Sequence, residues 1–331
     1  MGIIYTNAVI SIRETKMLNA DRIRRMVGAE TAEDAAKVLF ECGYSETVLT
    51  TEPSNIDKII RHKRIANVTE FKEFCDDENL KQVVFTYFDY HNATVYYKHR
   101  VLGEEIQASI YPFGNVDERG MNLILQKRYD ILPECLQIIL KELDFQDSEG
   151  RTPTAIEIES KINNAKFCYI LRRQKKIRNK DIKNYYMTEI DLLNIKNTIK
   201  IRNMGGSLNT VLICGGHIGR EYLEKMLHAR NTEAVKSCLV GMSYDYKELS
   251  KDVERAIETG DMLPLEVAIN KFLMKTSMKG ADDLFSINMS FGYFIHQMNE
   301  LKTVKTILVF KKLGFSPEFI REQLGGTYDF K

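Results

Sequence analysis

One pattern of fifteen residues occurs three times in the sequence, and this repetition constrains the fold more than any other feature. The copies read DYHNATVYYKHRVLG at 89–103, DLLNIKNTIKIRNMG at 191–205 and ELKTVKTILVFKKLG at 300–314. Their first residues lie 102 and then 109 positions apart in a chain of 331 residues. A long, regular period is typical of a chain built from similar structural units. The sequence therefore predicts three units, at 1–110, 111–210 and 211–331.

Each copy has an acid, a small polar residue three positions later, a base eleven positions after the acid, and a glycine fourteen after it. Eleven residues make nearly three helical turns, so the acid and the base lie on nearly the same face. The polar residue is beside the acid, and the glycine can end the helix in the left-handed conformation. The acids are Asp89, Asp191 and Glu300; the polar residues are Asn92, Asn194 and Thr303; the bases are Arg100, Arg202 and Lys311; the glycines are Gly103, Gly205 and Gly314.

Two interpretations of this polar line remain open. One copy alone is most simply a solvated helix face with good caps. Three copies favour equivalent helices in a pseudo-threefold assembly, whose charged side chains either line a shared surface or bind neighbouring helices.

Helix signals also dominate outside the repeats. TAED at 31–34 resembles a capping box before a helix that ends at Gly43. Ser316-Pro317-Glu318 combines an N-cap, a proline in the first turn and an acid. Only SLNTVLICGGHIG, at 207–219, has β character. Because no alternation of strands and helices is evident, the predicted class is all-α.

Composition excludes several classes of protein. A net charge of +1 with 28% charged residues argues against a dedicated nucleic-acid binder. The six cysteines include no CxxC pair, which indicates reduced thiols in the cytosol. No apolar run approaches the roughly 18–20 residues that span a bilayer, and the N-terminus does not resemble a signal peptide. We therefore expect a soluble chain, which does not exclude docking on a membrane complex.

The sharpest alternative function is nucleotide binding. In TVLICGGHIGREYLEKML, an apolar run, a glycine-rich turn and a helix follow one another, as in a dinucleotide-binding turn. The first glycine of GxGxxG is replaced by Cys214, and no βαβ unit is evident. The resemblance to a nucleotide-binding loop is therefore weak.

The other candidate sites have simpler explanations. The basic run RRQKKIRNK at 172–180 is most simply a solvated helix end, although it could contact anionic lipid or an acidic partner. The six histidines lack metal-ligand spacing, and no GxSxG nucleophile motif occurs. No metal, cofactor or catalytic group is predicted.

The three repeats resemble a known family. YFDYHNATVYYKHRVLG, YYMTEIDLLNIKNTIKIRNMGG with the LICGGHI loop after it, and FGYFIHQMNELKTVKTILVFKKLG are similar to the C subunit of bacterial and archaeal V/A-type rotary ATPases. The eukaryotic counterpart is the d subunit of the vacuolar ATPase. The resemblance covers essentially the whole chain, with Thr303 in place of asparagine and Ala93 in place of an aliphatic residue as departures.

The resemblance implies three similar helical bundles arranged as a pseudo-threefold funnel on the cytoplasmic face of the cell membrane. It implies a non-catalytic central-stalk (rotor) subunit that couples the central shaft to the membrane proteolipid ring, for ATP-driven proton or sodium transport. The expected partners are the shaft subunits and the ring, with no nucleic acid, and the chain is peripheral to the membrane.

The nine acid, polar and basic residues of the repeats are then either partner-facing or a structural signature. We expect replacement of Asp191 or Arg202 by alanine to reduce coupling or assembly rather than folding. The alternatives are a nucleotide-binding enzyme that uses the GGHIG loop, and a helical scaffold with unrelated partners.

Overall fold

The computed structural model describes residues 2–46, 50, 55–106 and 110–325. Throughout these residues the regular elements are helices and no strand occurs, which confirms the all-α class. The α-helices are, in chain order, α1 (Ile3–Glu14), α2 (Ala20–Gly28), α3 (Ala32–Lys37), α4 (Ile56–Phe74), α5 (Glu78–Leu102), α6 (Glu118–Asn122), α7 (Glu134–Ser148), α8 (Ala155–Ile177), α9 (Lys180–Met204), α10 (Arg220–Leu227), α11 (Thr232–Met242), α12 (Ser250–Thr259), α13 (Leu263–Ser277), α14 (Asn288–Lys312) and α15 (Pro317–Leu324). Short 3₁₀ helices occupy Val38–Cys42, Leu123–Gln126, Leu208–Thr210 and Tyr244–Leu249.

The helices belong to two compact units. The first unit combines the two ends of the chain, Met1–Asp76 and Asp261–Lys331, and the second is the continuous segment Asp77–Gly260. The division into three units at residues 110 and 210 stays a prediction.

In the first unit α14 is the central helix, in contact with α1, α3, α4 and α13. Its buried apolar residues recur at the three- and four-residue spacing of a core-facing helix. They pack with side chains from the N-terminal helices, so both ends of the chain share one core. The main members of this core are Ile23, Met26, Leu39, Ile59, Leu301, Val304, Ile307, Leu308 and Ile320.

In the second unit α5 packs along α8, which also packs on α7 and α9. Helix α9 contacts the short helices α10 and α12. The core beside α5 contains Tyr97, Met121, Leu136, Leu140, Ile158 and Ile162.

The three repeats lie on α5, α9 and α14, which we call the signature helices. Each signature helix has 25 residues. Gly103, Gly205 and Gly314 follow the last helical turns with φ values of 71°, 70° and 76°, which confirms the predicted left-handed ends. The caps at Thr31 and Ser316 are also confirmed, since their side chains accept from the backbone N–H groups of Asp34 and Phe319.

One expectation about local structure is wrong. The stretch 207–219 forms a 3₁₀ helix at Leu208–Thr210 and then irregular backbone, with no strand. Asn194 pairs with both backbone groups of Ile213 in this segment, which satisfies them without a neighbouring strand.

Candidate functional site

The acid of the first signature helix is fully buried and binds a backbone turn. Asp89 Oδ1 accepts from the backbone N–H groups of Asn115 at 2.8 Å and Val116 at 3.0 Å, and Oδ2 accepts from the Asn115 side chain at 2.7 Å. The turn lies so close that a Cβ on Gly114 would be 2.3 Å from Oδ1. Burial raises the pKa of Asp89 to about 6, against the lowering effect of these hydrogen bonds.

The acid of the second signature helix is bound in the same way. Asp191 is fully buried and accepts from the backbone N–H groups of His217 at 3.1 Å and Ile218 at 3.0 Å, and from the Tyr246 hydroxyl at 3.0 Å. A Cβ on Gly216 would be 2.1 Å from Asp191 Oδ1. The GGHIG loop therefore surrounds a carboxylate of the protein itself.

The acid of the third signature helix binds the beginning of the chain. Glu300 Oε2 accepts from the backbone N–H of Leu18 at 2.7 Å, and Oε1 accepts from the Tyr44 hydroxyl at 3.2 Å. Burial raises the pKa of Glu300. The partners of Glu300 therefore precede it in the sequence, whereas those of Asp89 and Asp191 follow them.

The small polar residues reinforce the first two turns. Asn92 forms two hydrogen bonds with the backbone of Tyr111, at 2.9 and 3.0 Å. Asn194 forms the same pair with Ile213, at 2.8 and 2.9 Å. Thr303 departs from this arrangement because its hydroxyl donates to the carbonyl of Asn299, four residues earlier on its own helix.

The bases bind backbone carbonyls near the ends of short helices. Arg202 donates to the carbonyls of Leu227 and Ala229, each at 2.6 Å, where α10 ends. Lys311 donates to the carbonyl of Ala29 at 2.5 Å, where α2 ends.

Arg100 binds side chains as well as a backbone carbonyl. It donates to the carbonyl of Ile124 and to the Tyr129 hydroxyl, each at 2.6 Å, and it pairs with Asp144. Its carbonyl partner lies in the 3₁₀ helix that continues α6.

Acid and base together hold a short helix at both ends. Val116, Ile218 and Leu18 each lie two residues before the first residue of α6, α10 and α2 respectively. The acid is thus next to the N-terminus of the short helix and the base is at its C-terminal end, which complements the helix dipole at both ends. We call each such set of contacts a clasp.

In all three signature helices the acid and the base bind neighbouring segments of the same chain. The acids and the small polar residues are buried, and the hydrogen bonds described above join them to the protein's own backbone and side chains. Loss of a buried partner leaves backbone groups unsatisfied, so replacement of Asp191 or Arg202 is now expected to lower stability directly.

Sequence reasoning missed the partners of the acids, which are mostly backbone N–H groups. One signal of them was available. Gly114 and Gly216 are 102 positions apart, the same spacing as Asp89 and Asp191, and both lie against the carboxylate.

The other features singled out in the sequence are the basic run, the possible metal ligands and the apolar segments. The run 172–180 covers the last turn of α8, where Arg172, Lys175 and Lys176 are exposed and Arg178 has a φ of 55°. Across the described part of the chain, no three His, Cys, Asp or Glu side chains are arranged to hold a metal ion. No helix described here is long and apolar enough to cross a membrane.

Helix α1 has an unusual exposed apolar surface. It buries Thr6, Asn7 and Ile10, whereas Tyr5 and Ile12 are 62% and 66% exposed. The Asn7 amide donates to the carbonyls of Leu284 and Ser286, which holds the 73%-exposed Phe285 beside the helix. We call Ile4, Tyr5, Ile12, Leu284 and Phe285 the α1 surface.

Helix α7 has a second exposed apolar surface, in the other unit. Ile138 and Phe145 lie two turns apart on its outer face and are 53% and 65% exposed. Exposed apolar patches mark interaction sites, so this pair is a candidate for one. We call this pair the α7 surface.

Comparison with known proteins gives one family. The family model of the ATP synthase (C/AC39) subunit matches residues 6–323. Curated relatives include the C subunit of the A-type ATP synthase of Pyrococcus abyssi, which is 20% identical over 97% of this chain and 90% of the relative. The corresponding C subunit of the A-type ATP synthase of Methanocaldococcus jannaschii is 23% identical over 97% of this chain and 85% of the relative.

Proposed function

The chain belongs to the ATP synthase (C/AC39) subunit family, and we propose from this that it is a non-catalytic central-stalk subunit of a V/A-type rotary ATPase. In this role it couples the central shaft to the membrane proteolipid ring, and so serves ATP-driven proton or sodium transport. The observation that carries the proposal is the match of the family over nearly the whole chain.

The clasps support a mechanical role. A subunit that transmits torque must resist deformation, and densely packed helices transmit strain. Each clasp fixes a short helix at both ends through charge-assisted hydrogen bonds, which are stronger than neutral ones. Such a network stiffens the chain and leaves Asp89, Asp191 and Glu300 without access to a substrate.

We propose a threefold organisation for the whole chain, with three similar helical bundles in a funnel and boundaries near residues 110 and 210. The equivalent clasps of the three signature helices support it. The first two signature helices bind segments on the far side of those boundaries, at Tyr111 and Ile213.

The α1 and α7 surfaces are the candidate docking surfaces. A coupling subunit needs one surface for the shaft and another for the ring, and the two surfaces are apolar and exposed. We propose that each contacts another subunit of the complex, at the cytoplasmic face of the membrane.

Co-purification tests this function. The full-length chain is mixed with the shaft subunits or with the solubilised ring of its own complex, and we expect it to be retained by both. The double variants Tyr5→Ser/Ile12→Ser and Ile138→Ser/Phe145→Ser should each lose one partner. Retention of neither partner by the folded wild-type chain contradicts the coupling function, and retention of both by both variants contradicts the docking surfaces.

Ile65→Ser is the matched control for these variants. Ile65 is also an exposed isoleucine, but it lies on α4, outside both surfaces. We expect this variant to bind like the wild type. Far-UV circular dichroism of all variants checks that the helices are intact.

The nucleotide-binding alternative is not favoured by the geometry of its loop. Phosphate binding at a glycine-rich turn needs free backbone N–H groups, and those of His217 and Ile218 are bound to Asp191. Calorimetric titration of the wild-type chain with NAD or ATP should give no binding heat. Tight binding that is lost in Gly216→Val would favour the enzyme.

A further inference from the structure

Two thiols outside the clasps lie close together in the second unit. The sulfur atoms of Cys135, in the first turn of α7, and Cys168, on α8, are 3.5 Å apart. Cys135 is buried and Cys168 is half-buried. Two thiols at this distance on helices that pack together can be joined after a small approach, because a disulfide needs the sulfurs at about 2 Å.

The pair is accessible through an open cavity of about 510 Å³. Its lining includes both thiols and a third, the exposed Cys214. The volume admits a small molecule, so an oxidant can reach the sulfurs without unfolding of α7 or α8.

The two thiols have different chemical settings. The Cys135 S–H donates to the Cys168 sulfur, and Cys168 is the more exposed of the two residues. Burial raises the pKa of Cys135 to about 11, so Cys135 stays protonated near neutral pH. The guanidinium of Arg172, one turn beyond Cys168 on α8, adds positive charge beside the pair, and Glu134, with which it pairs at 3.4 Å, adds negative charge. Because Cys168 is the more exposed residue on the cavity, it meets the oxidant first and is the nucleophile, and Cys135 is the second thiol.

We propose that Cys135 and Cys168 form an oxidisable dithiol, which a hydroperoxide converts into a disulfide between α7 and α8. The Cys168 thiolate attacks one peroxide oxygen, the O–O bond breaks, and a sulfenic acid forms with release of hydroxide or alkoxide, which takes up a proton. The Cys135 sulfur then attacks the sulfenic sulfur. The S–S bond forms, and water leaves with the thiol proton.

The overall reaction balances without another reactant. Two thiols lose two electrons and two protons, and hydrogen peroxide is reduced to two molecules of water. A dithiol reductant reverses the modification by thiol–disulfide exchange. The modification covalently joins two helices that pack together.

Mass spectrometry of the full-length protein tests this proposal. Folded wild-type protein is treated with hydrogen peroxide at low molar excess, the remaining thiols are alkylated, and the protein is digested without reductant. We expect loss of two thiols, a Cys135–Cys168 cross-linked peptide that lacks two hydrogen atoms, and full reversal by dithiothreitol. A link from either residue to Cys214, or no link in the folded protein, overturns the proposal.

Two variants complete the experiment. Cys214→Ser is the matched control, because it removes a thiol from the same cavity, and it should form the disulfide at the wild-type rate. In Cys135→Ser, the Cys168 sulfenic acid should persist and react with dimedone. Phenylarsine oxide gives a test without any variant, since a trivalent arsenical bridges two adjacent thiols. One equivalent should protect both Cys135 and Cys168 of the wild type from alkylation, and protection of neither contradicts the proximity of the thiols.

Discussion

The backbone N–H of Leu18 donates to Glu300 Oε2 at 2.7 Å, a contact that spans 282 residues of sequence. It places the N-terminus of α2 at the acid of the third signature helix. Since Lys311 binds the other end of α2, the beginning and the end of the chain form one clasp. In the first unit, Glu300 and Lys311 hold the two ends of α2, which precedes them in the chain by 282 residues at each contact. Asp191 and Arg202 hold α10 in the same way, but α10 follows them directly in the chain.

Glu300→Ala should destabilise the protein strongly. It removes the hydrogen bond from the Tyr44 hydroxyl and leaves the buried Leu18 N–H without this acceptor, and an unsatisfied buried polar group costs about 1–3 kcal/mol. Glu300→Gln keeps one oxygen acceptor and should therefore cost less. Urea unfolding followed by circular dichroism measures both, and equal stability of the wild type and the alanine variant would contradict the clasp.

Asp89 should make stability depend on pH. Its pKa is raised from 3.8 to about 6 by burial, so between these values the folded state binds more protons than the unfolded state. Stability from this group is therefore fully present below about pH 4 and falls as pH rises to about 6, by roughly 3 kcal/mol.

Asp89→Asn removes this titration while retaining an oxygen that can accept from Asn115 and Val116. The free energy of unfolding, measured in urea from about pH 4 to about pH 7, should fall more for the wild type than for the variant. The pKa of Glu300 is also raised, but Glu300 is present in both proteins. The difference between their two curves of unfolding free energy against pH therefore reports the titration of Asp89. Parallel curves would mean that Asp89 does not titrate in this range.

Arg202→Met should lower stability by about 1–3 kcal/mol, because the carbonyls of Leu227 and Ala229 lose a charged donor. Lys200→Met is the matched control, since Lys200 is an exposed base two residues earlier on α9. We expect the control to lie within about 0.5 kcal/mol of the wild type. The stability of the three proteins is compared by thermal or urea unfolding. Equal losses of stability in the two variants would mean that the hydrogen bonds of Arg202 do not stabilise the fold.

Gly216→Ala should disrupt the second clasp, because the added methyl group would lie 2.1 Å from Asp191 Oδ1. The loop or the carboxylate has to move, and we expect a loss of more than about 2 kcal/mol. Gly241→Ala is the control. Gly241 lies in α11, and a Cβ added there would have only an ordinary contact with Tyr222. Alanine there should stabilise by about 0.5–1 kcal/mol. Hydrogen exchange of the Ile218 amide would report the opening of the clasp directly.

Features that depend on nearby residues could be predicted from the sequence. The all-α class, the signature helices, their left-handed glycine ends and the caps at Thr31 and Ser316 follow from helical periodicity and from the local conformational preferences of single residues. These preferences act within a few positions, so they can be recognised from the order of the residues alone. The β character of 207–219 was misleading because apolar runs of this length do not distinguish strands from other buried segments.

The roles of the signature residues were decided by tertiary structure. An acid and a base on one face of a helix look the same in sequence whether that face contacts solvent, a partner or the same chain. Asp89, Asp191 and Glu300 are buried and each accepts from at least one backbone N–H, and backbone donors carry no residue-type signal. Sequence alone is enough to place the signature helices and their ends. Only the fold brings Leu18 to Glu300 and the GGHIG loop to Asp191, because these contacts depend on the packing of helices that are distant in the chain.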